Sequence, residues 1–223
     1  ANVPGFRRDL PNEGGAGFLS TMNKATARIF PLETGGRIFS NEIGALESTG
    51  VQTDLAMLNG SYLFIQPKDG DQALSRRGDL GVDAENKLVD GSGNAVLSAE
   101  LEPIILPPFS AIKFSDNGEI LVRQAGALPG DFTSIGFLAS TSAQPEELSK
   151  GLDGRIRKLD GSVPPPDQSG QYAQGVLEGS NVNAIEEMVF NMDMQRQFEI
   201  NVKLIKKAEE LDKAGTKLMS LPN

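Results

Sequence analysis

Several carboxylates stand at spacings that chemistry could use. Asp79 with Asp83, and Asp116 with Glu119, are short-range acidic pairs. A glycan hydrolase needs such a pair, one carboxyl as acid and one as base or nucleophile. Asp69-Gly70-Asp71 and Asp90-Gly91-Ser92-Gly93-Asn94 gather oxygen ligands as calcium loops do, but neither follows the full EF-hand spacing. Arg77-Gly78-Asp79 spells an adhesion tripeptide. All of these lie in Gly-rich turn sequences, where Asp and Asn are favoured because their side chains bond the local backbone. Turn chemistry therefore outweighs the catalytic, metal-binding and adhesive readings.

Composition narrows the chemistry further. The 223 residues include no Cys and no His. Disulfides, thiolate nucleophiles, the usual general base near neutral pH and most zinc sites are thereby removed. No cofactor or metal is expected, and the chain reads as a non-enzyme. A Cys-free chain suits a protein that leaves the cytoplasm without a disulfide framework. The formal net charge of −9 disfavours nucleic acid, whose phosphates need a basic face. No apolar run is long enough to insert in a membrane. The opening ANVPGFRRDL lacks the apolar core of a signal peptide.

The elements that position these turns read mainly as β. Residues 1–24 are expected to form an extended segment, with PNEGGAG (Pro11–Gly17) flexible. ATARIF (Ala25–Phe30) and RIFSNEI (Arg37–Ile43) suit short strands around Glu33–Gly36. A β domain is expected over 25–140. In LAMLNGSYLFIQP (Leu55–Pro67), Asn-Gly between two apolar runs signals a hairpin. Turns at KDGD, RRGD, AENK, DGSGN and SDNGE then separate KLV, AVL, PIIL, IKF and EILV. This spacing predicts a sandwich or barrel-like domain. Residues 141–180 are polar, with Pro164–Pro166 in a row, and read as a linker and return segment.

Residues 181–219 differ in kind. They lack Pro, and Gly until Gly215. Asn183 suits the N-cap, with Glu186 in capping-box position, and Ser180 or Asn181 would also serve; Gly215 and Pro222 weaken and then stop the helix. Apolar residues recur at Ile185, Met188, Val189 and Met192, then at Phe198, Val202, Ile205, Ala208, Leu211, Ala214 and Leu218. Glu199–Lys203 and Glu209–Lys213 are spaced to pair. About 38 residues give a rod of roughly 57 Å, longer than a small β domain is wide. Its apolar stripe needs another helix. The fold expected is thus mainly β with a long C-terminal α-helix. A carbohydrate-binding module or hydrolase with a helical dimerisation tail is the competing class.

Gly175–Ala214, GVLEGSNVNAIEEMVFNMDMQRQFEINVKLIKKAEELDKA, resembles the C-terminal signature of the bacterial flagellar rod and hook family. The signature positions are Gly175, Leu177, Glu178, Ser180, Asn181, Val182, Glu187, Met188, Gln195, Arg196, Phe198, Glu199, Asn201, Lys203 and Ile205. TDLAMLNGSYLFI (Thr53–Ile65), SRRGDLGVDAENKLV (Ser75–Val89) and GNAVL (Gly93–Leu97) are similar to the family's middle motifs. Asn86 stands where Gly is common there, and Tyr62-Leu63-Phe64 replaces the usual aromatic pair. ANVPGFR (Ala1–Arg7) is similar to the end of the N-terminal motif. Within the family the pattern looks most like a proximal rod subunit, with distal rod or hook subunits as the alternative.

The resemblance implies a structural subunit of the flagellar basal body. It implies an outer β domain and a coiled-coil inner domain in which the C-terminal helix pairs with an N-terminal helix not present in this sequence. Subunits would stack helically around an export channel through heterologous, non-closing contacts. The implied partners are other rod subunits, copies of the chain and the flagellar type III export apparatus. The implied location is the rod across the periplasm, reached without a cleavable signal. The implied assembly residues are Asn181, Val182, Ile185, Glu187, Met188, Met192, Gln195, Arg196, Phe198, Glu199, Val202, Ile205, Leu211 and Leu218. Gln195, Arg196 and Glu199 interrupt the stripe. By themselves they read as solvated surface, whereas the resemblance implies polar contacts between subunits.

Overall fold

The computed structural model describes residues 3–10 and 38–219, without the side chains at 205, 208, 212 and 214–219. It divides into a β unit reaching Asn181 and a helical unit beginning at Val182. The expected flexible stretch at 11–17, the ATARIF strand and the turn at 33–36 lie outside the described residues. Of RIFSNEI, Phe39 makes a single bridge to Asp9.

The apolar run YLFI explains the centre of the β unit. Alternate strand residues face opposite sides, so an unbroken apolar run needs cover on both. In β3 (Tyr62–Gln66), with β2 at Leu55–Met57 and β1 at Leu46–Ser48, Tyr62, Leu63, Phe64 and Ile65 are all buried. Leu63 enters a core with Leu55, Leu88, Ile120 and Tyr172. Tyr62 and Phe64 enter a second core with Phe39, Leu74, Leu97 and Ile156.

Around β3 runs the largest sheet among the described residues. Its order is β12 (Leu148–Lys150), β13 (Ile156–Lys158), β4 (Ala73–Ser75), β3, β7 (Ala95–Val96), β6 (Leu88–Asp90) and β5 (Leu80–Val82). β11 (Ser140–Thr141) also pairs with β3. β8 (Phe109–Phe114), β9 (Glu119–Gln124) and β10 (Thr133–Phe137) make a second, antiparallel sheet. β2 pairs with β14 (Tyr172–Gln174), and β1 with β15 (Val176–Glu178). The described residues are mainly β with one C-terminal helix, and their sheets do not close into a barrel.

Three expectations are corrected. The Asn59-Gly60 hairpin does not form: β2 pairs with β14, and β3 with β4, β7 and β11. The Arg76 guanidinium donates instead to the carbonyls of Met57, Asn59 and Ser61, holding this stretch open. Residues 141–180 are not simply a linker, since they supply β12–β15. Their low apolar content reflects strands of only three residues that lean on neighbours already in place. PIIL contributes bridges through Pro103 and Ile105 rather than a strand.

Helix α1 spans Ala184–Met219, 36 residues. Asn183 Oδ1 accepts the Ile185 N–H at 3.0 Å, and its amide donates to Glu186 at 3.1 Å, so of the three candidate caps Asn183 is the one that caps the helix. The helix continues through Gly215. Lys213 pairs with Glu209 at 2.6 Å, whereas no ion pair joins Glu199 to Lys203.

Candidate assembly interface and chain-end junction

Turn chemistry accounts for the acidic groups. The two halves of the adhesion tripeptide bind each other, Arg77 forking onto Asp79 at 2.6 and 2.8 Å. Asp83 Oδ1 accepts the N–H groups of Lys87 and Glu85 across the β5–β6 turn. The Lys87 bond, with that to Glu85, holds its carboxyl below the ordinary range despite some desolvation, the wrong direction for a general acid. Asp90 Oδ1 accepts the N–H groups of Ser92 and Asn94, and Oδ2 the Asn94 amide, so the candidate calcium loop is occupied by its own backbone. Asp116 and Glu119 flank the β8–β9 turn, where the backbone carbonyls of both accept amides. Among the described residues no cluster of three acidic groups is arranged to hold a metal.

The helix presents a different surface. Ile185 is 75% exposed, Phe198 70% and Leu211 71%. Met188 and Met192 are also exposed, while Val202, Glu187 and Val182 are half-buried. Gln195, Arg196 and Glu199 are exposed, with no hydrogen bond or ion pair among the described residues. The side chains of Ile205 and Leu218 lie outside the description. Phe190, Ile200 and Leu204, absent from the expected stripe, are exposed as well. At 3.6 residues per turn, Phe198 stands about 140° around the axis from Ile185. The apolar surface is therefore not one stripe.

Asn181 plays another part. Its Oδ1 accepts the Arg8 N–H at 2.6 Å, its amide donates to the carbonyls of Glu42 and Ser40, and its N–H donates to the Phe6 carbonyl. The side chain expected to touch a neighbouring subunit is committed within its own β unit. Beside it lies Glu178, 2% exposed. Glu178 Oε2 accepts Arg76 Nε at 2.8 Å and Nη2 at 2.6 Å. Oε1 accepts the Gly44 N–H at 3.0 Å and stands 3.0 Å from Arg7 Nη2. Burial lowers the Arg7 pKa, Arg76 pushes the same way, and Glu178 opposes both. Arg7 and Arg76 escaped sequence reasoning because nothing in their spacing links them to Glu178, 171 and 102 residues away. Glu178 itself was visible only as a signature letter.

Comparison of the sequence with known proteins places this region in a family. Residues 173–218, which hold β15, the junction and nearly all of α1, match the model described as "Flagellar basal body rod FlgEFG protein C-terminal". The chain is 32% identical to the flagellar basal-body rod protein FlgG of Borreliella burgdorferi, over 92% of this chain and 73% of the relative. It is 30% identical to FlgF of Rhizobium meliloti, over 92% of this chain and 87% of that one. The chain belongs to the flagellar basal-body rod protein family. Within it the chain is most like FlgF: 29% identity to the Salmonella typhimurium protein extends over 99% of this chain and 88% of the relative. It is a structural rod protein of the flagellar basal body, not an enzyme. The hydrolase and carbohydrate-binding readings are set aside.

Proposed function

We propose that the chain polymerises helically through its terminal helices and forms part of the drive shaft and export channel of the proximal rod. In this reading α1 is the C-terminal half of a coiled-coil inner domain, and residues 38–181 are an outer, sandwich-like β domain. Copies of the chain and homologous proximal and distal rod proteins cover α1. Delivery is by the flagellar type III export apparatus to a rod that crosses the periplasm. The observation that carries the reading is the exposure of Ile185, Met188, Met192, Phe198 and Leu211 on more than one side of a single helix. Burying such a side chain contributes about 1.5–3 kcal/mol, and subunit packing is the way for this helix to gain it. The exposed Gln195, Arg196 and Glu199 are suited to set register between neighbours.

Phe198→Asp tests this. The variant should leave the melting of the isolated subunit within about 0.5 kcal/mol of native, as for exposed positions generally. It should block rod incorporation, because an unpaired carboxylate in a packed interface costs several times what the ring contributed. Glu210→Lys removes the exposed pair with Lys207 and sets like charges beside it, each effect worth only roughly 0.3–0.5 kcal/mol at an exposed position, and serves as control. Each variant is returned to a deletion strain, and swimming and purified basal bodies are scored. Normal swimming and complete rods with Phe198→Asp would sink the proposal.

A further inference from the structure

Residues 3–10 are anchored by charge where a terminal segment is normally anchored by apolar packing. Val3, Phe6 and Leu10 are exposed, and Arg7 is the one fully buried side chain of the segment. The Arg7 guanidinium reaches Glu178, which also holds Arg76. A third buried cation, Lys150, donates to the Arg7 carbonyl at 3.0 Å, pairs with Asp9 at 2.9 Å and lies 3.8 Å from the centre of the Phe6 ring. Backbone bonds then join the segment to the stretch after β15: Gly5 N–H to the Glu178 carbonyl at 2.7 Å and Asn181 N–H to the Phe6 carbonyl at 3.2 Å. Residues 5–8 and 178–181 of the β unit thus lie side by side, with Arg7 reaching the Glu178 carboxylate.

We propose that Arg7, Glu178 and Arg76 form a charge latch that holds the two ends of the β unit side by side and opens independently of its cores. Two features favour separate opening. The segment buries little apolar surface, the usual mark of a region that opens before the whole molecule. The trio is also unbalanced, with two guanidinium groups sharing one carboxylate, and among the described residues Arg7 Nε and Nη1 find no acceptor while Nη2 meets Glu178 as an ion pair without a well-aligned hydrogen bond. Arg76 is held in addition by three carbonyls of the β2–β3 connection and belongs to the fixed side of the latch. Arg7 is the moving side. Glu178 acts as a positioning residue, and the inference is independent of what covers α1.

Amide hydrogen exchange on the full chain reads the latch directly. In Arg7→Met the Gly5, Arg8 and Asn181 amides should exchange at least roughly tenfold faster, the scale expected from weakening a buried ion pair. The Phe64 and Leu97 amides, which bond across the sheets, should keep their native rates. Glu178→Gln, which leaves two buried cations without an anion, should open the same amides further. The double variant restores the native net charge of the trio, so it should exchange more slowly there than Glu178→Gln alone. Loss of packing by itself would make the double variant worse. Unchanged rates at Gly5, Arg8 and Asn181 in Arg7→Met would overturn the proposal. So would equal acceleration of Phe64 and Leu97, or a double variant that exchanges faster than Glu178→Gln.

Discussion

Gly78 shows how a residue chosen for one motif serves another need. As the middle of Arg-Gly-Asp it invites an adhesive reading, yet its carbonyl accepts the Leu55 N–H at 2.9 Å, and a Cβ there would lie 1.6 Å from the Leu55 carbonyl oxygen. Only the absence of a side chain lets β2 approach. Gly78→Ala should therefore lower stability by about 1–3 kcal/mol, as overpacking against backbone does. Gly81→Ala, whose Cβ would meet nothing within 4 Å, should change it little. Paired thermal melts compare the two, and equal melting temperatures would contradict the close approach. Asn86 teaches a related lesson. Its φ of 61° lies in the left-handed region, which Asn tolerates better than most residues.

Among the elements, α1 depends most on what surrounds it. Long helices in proteins draw most of their stability from packing, and this one mixes Asn, Val, Ile and Phe into its length. A peptide of residues 182–219 should be partly helical at best when dilute, gaining helicity with concentration or on mixing with a related rod protein. Circular dichroism across a dilution series checks this, and full helicity independent of concentration would refute it. Helix existence, start and exposed Phe198 were legible because a period near 3.6 and an N-cap are local signals. The AENK, DGSGN and SDNGE turns, with strands β6, β7, β8 and β9 beside them, were legible for the same reason. The β2–β14 and β1–β15 pairings were not. They join residues more than a hundred positions apart, and the decisive partner at Asn59-Gly60 is the guanidinium of Arg76, just past β4. Asn181 was singled out by signature rather than by contact, and so its internal bonding could not be seen.

At the scale of the whole molecule, ionisation ties the two cores to pH. The chain has two tyrosines, Tyr172 in one core and Tyr62 in the other. Burial pushes Tyr172 up to about 12, and burial likewise raises Tyr62 although Arg7 and Arg76 pull against it. A phenol with a raised folded pKa contributes stability that is fully present below the unfolded value of about 10 and is lost as pH rises through the folded value. Between those limits the urea midpoint should fall steadily, and tyrosinate absorbance should lag behind that of a free phenol until the chain unfolds. A full two-tyrosine absorbance step near pH 10 in folded protein would show that the phenols are not enclosed.

The meeting of the β unit's ends at Glu178 also bears on inheritance. A body whose entry and exit lie side by side is a graft on the polypeptide, joined to the rest of its lineage at a single seam. Loops on that graft can lengthen, shorten or be exchanged without moving the seam, whereas Glu178, Arg76 and Arg7 must change together or not at all. A change at one of the three leaves the other two mismatched, whereas changes in loops remote from the seam leave it intact.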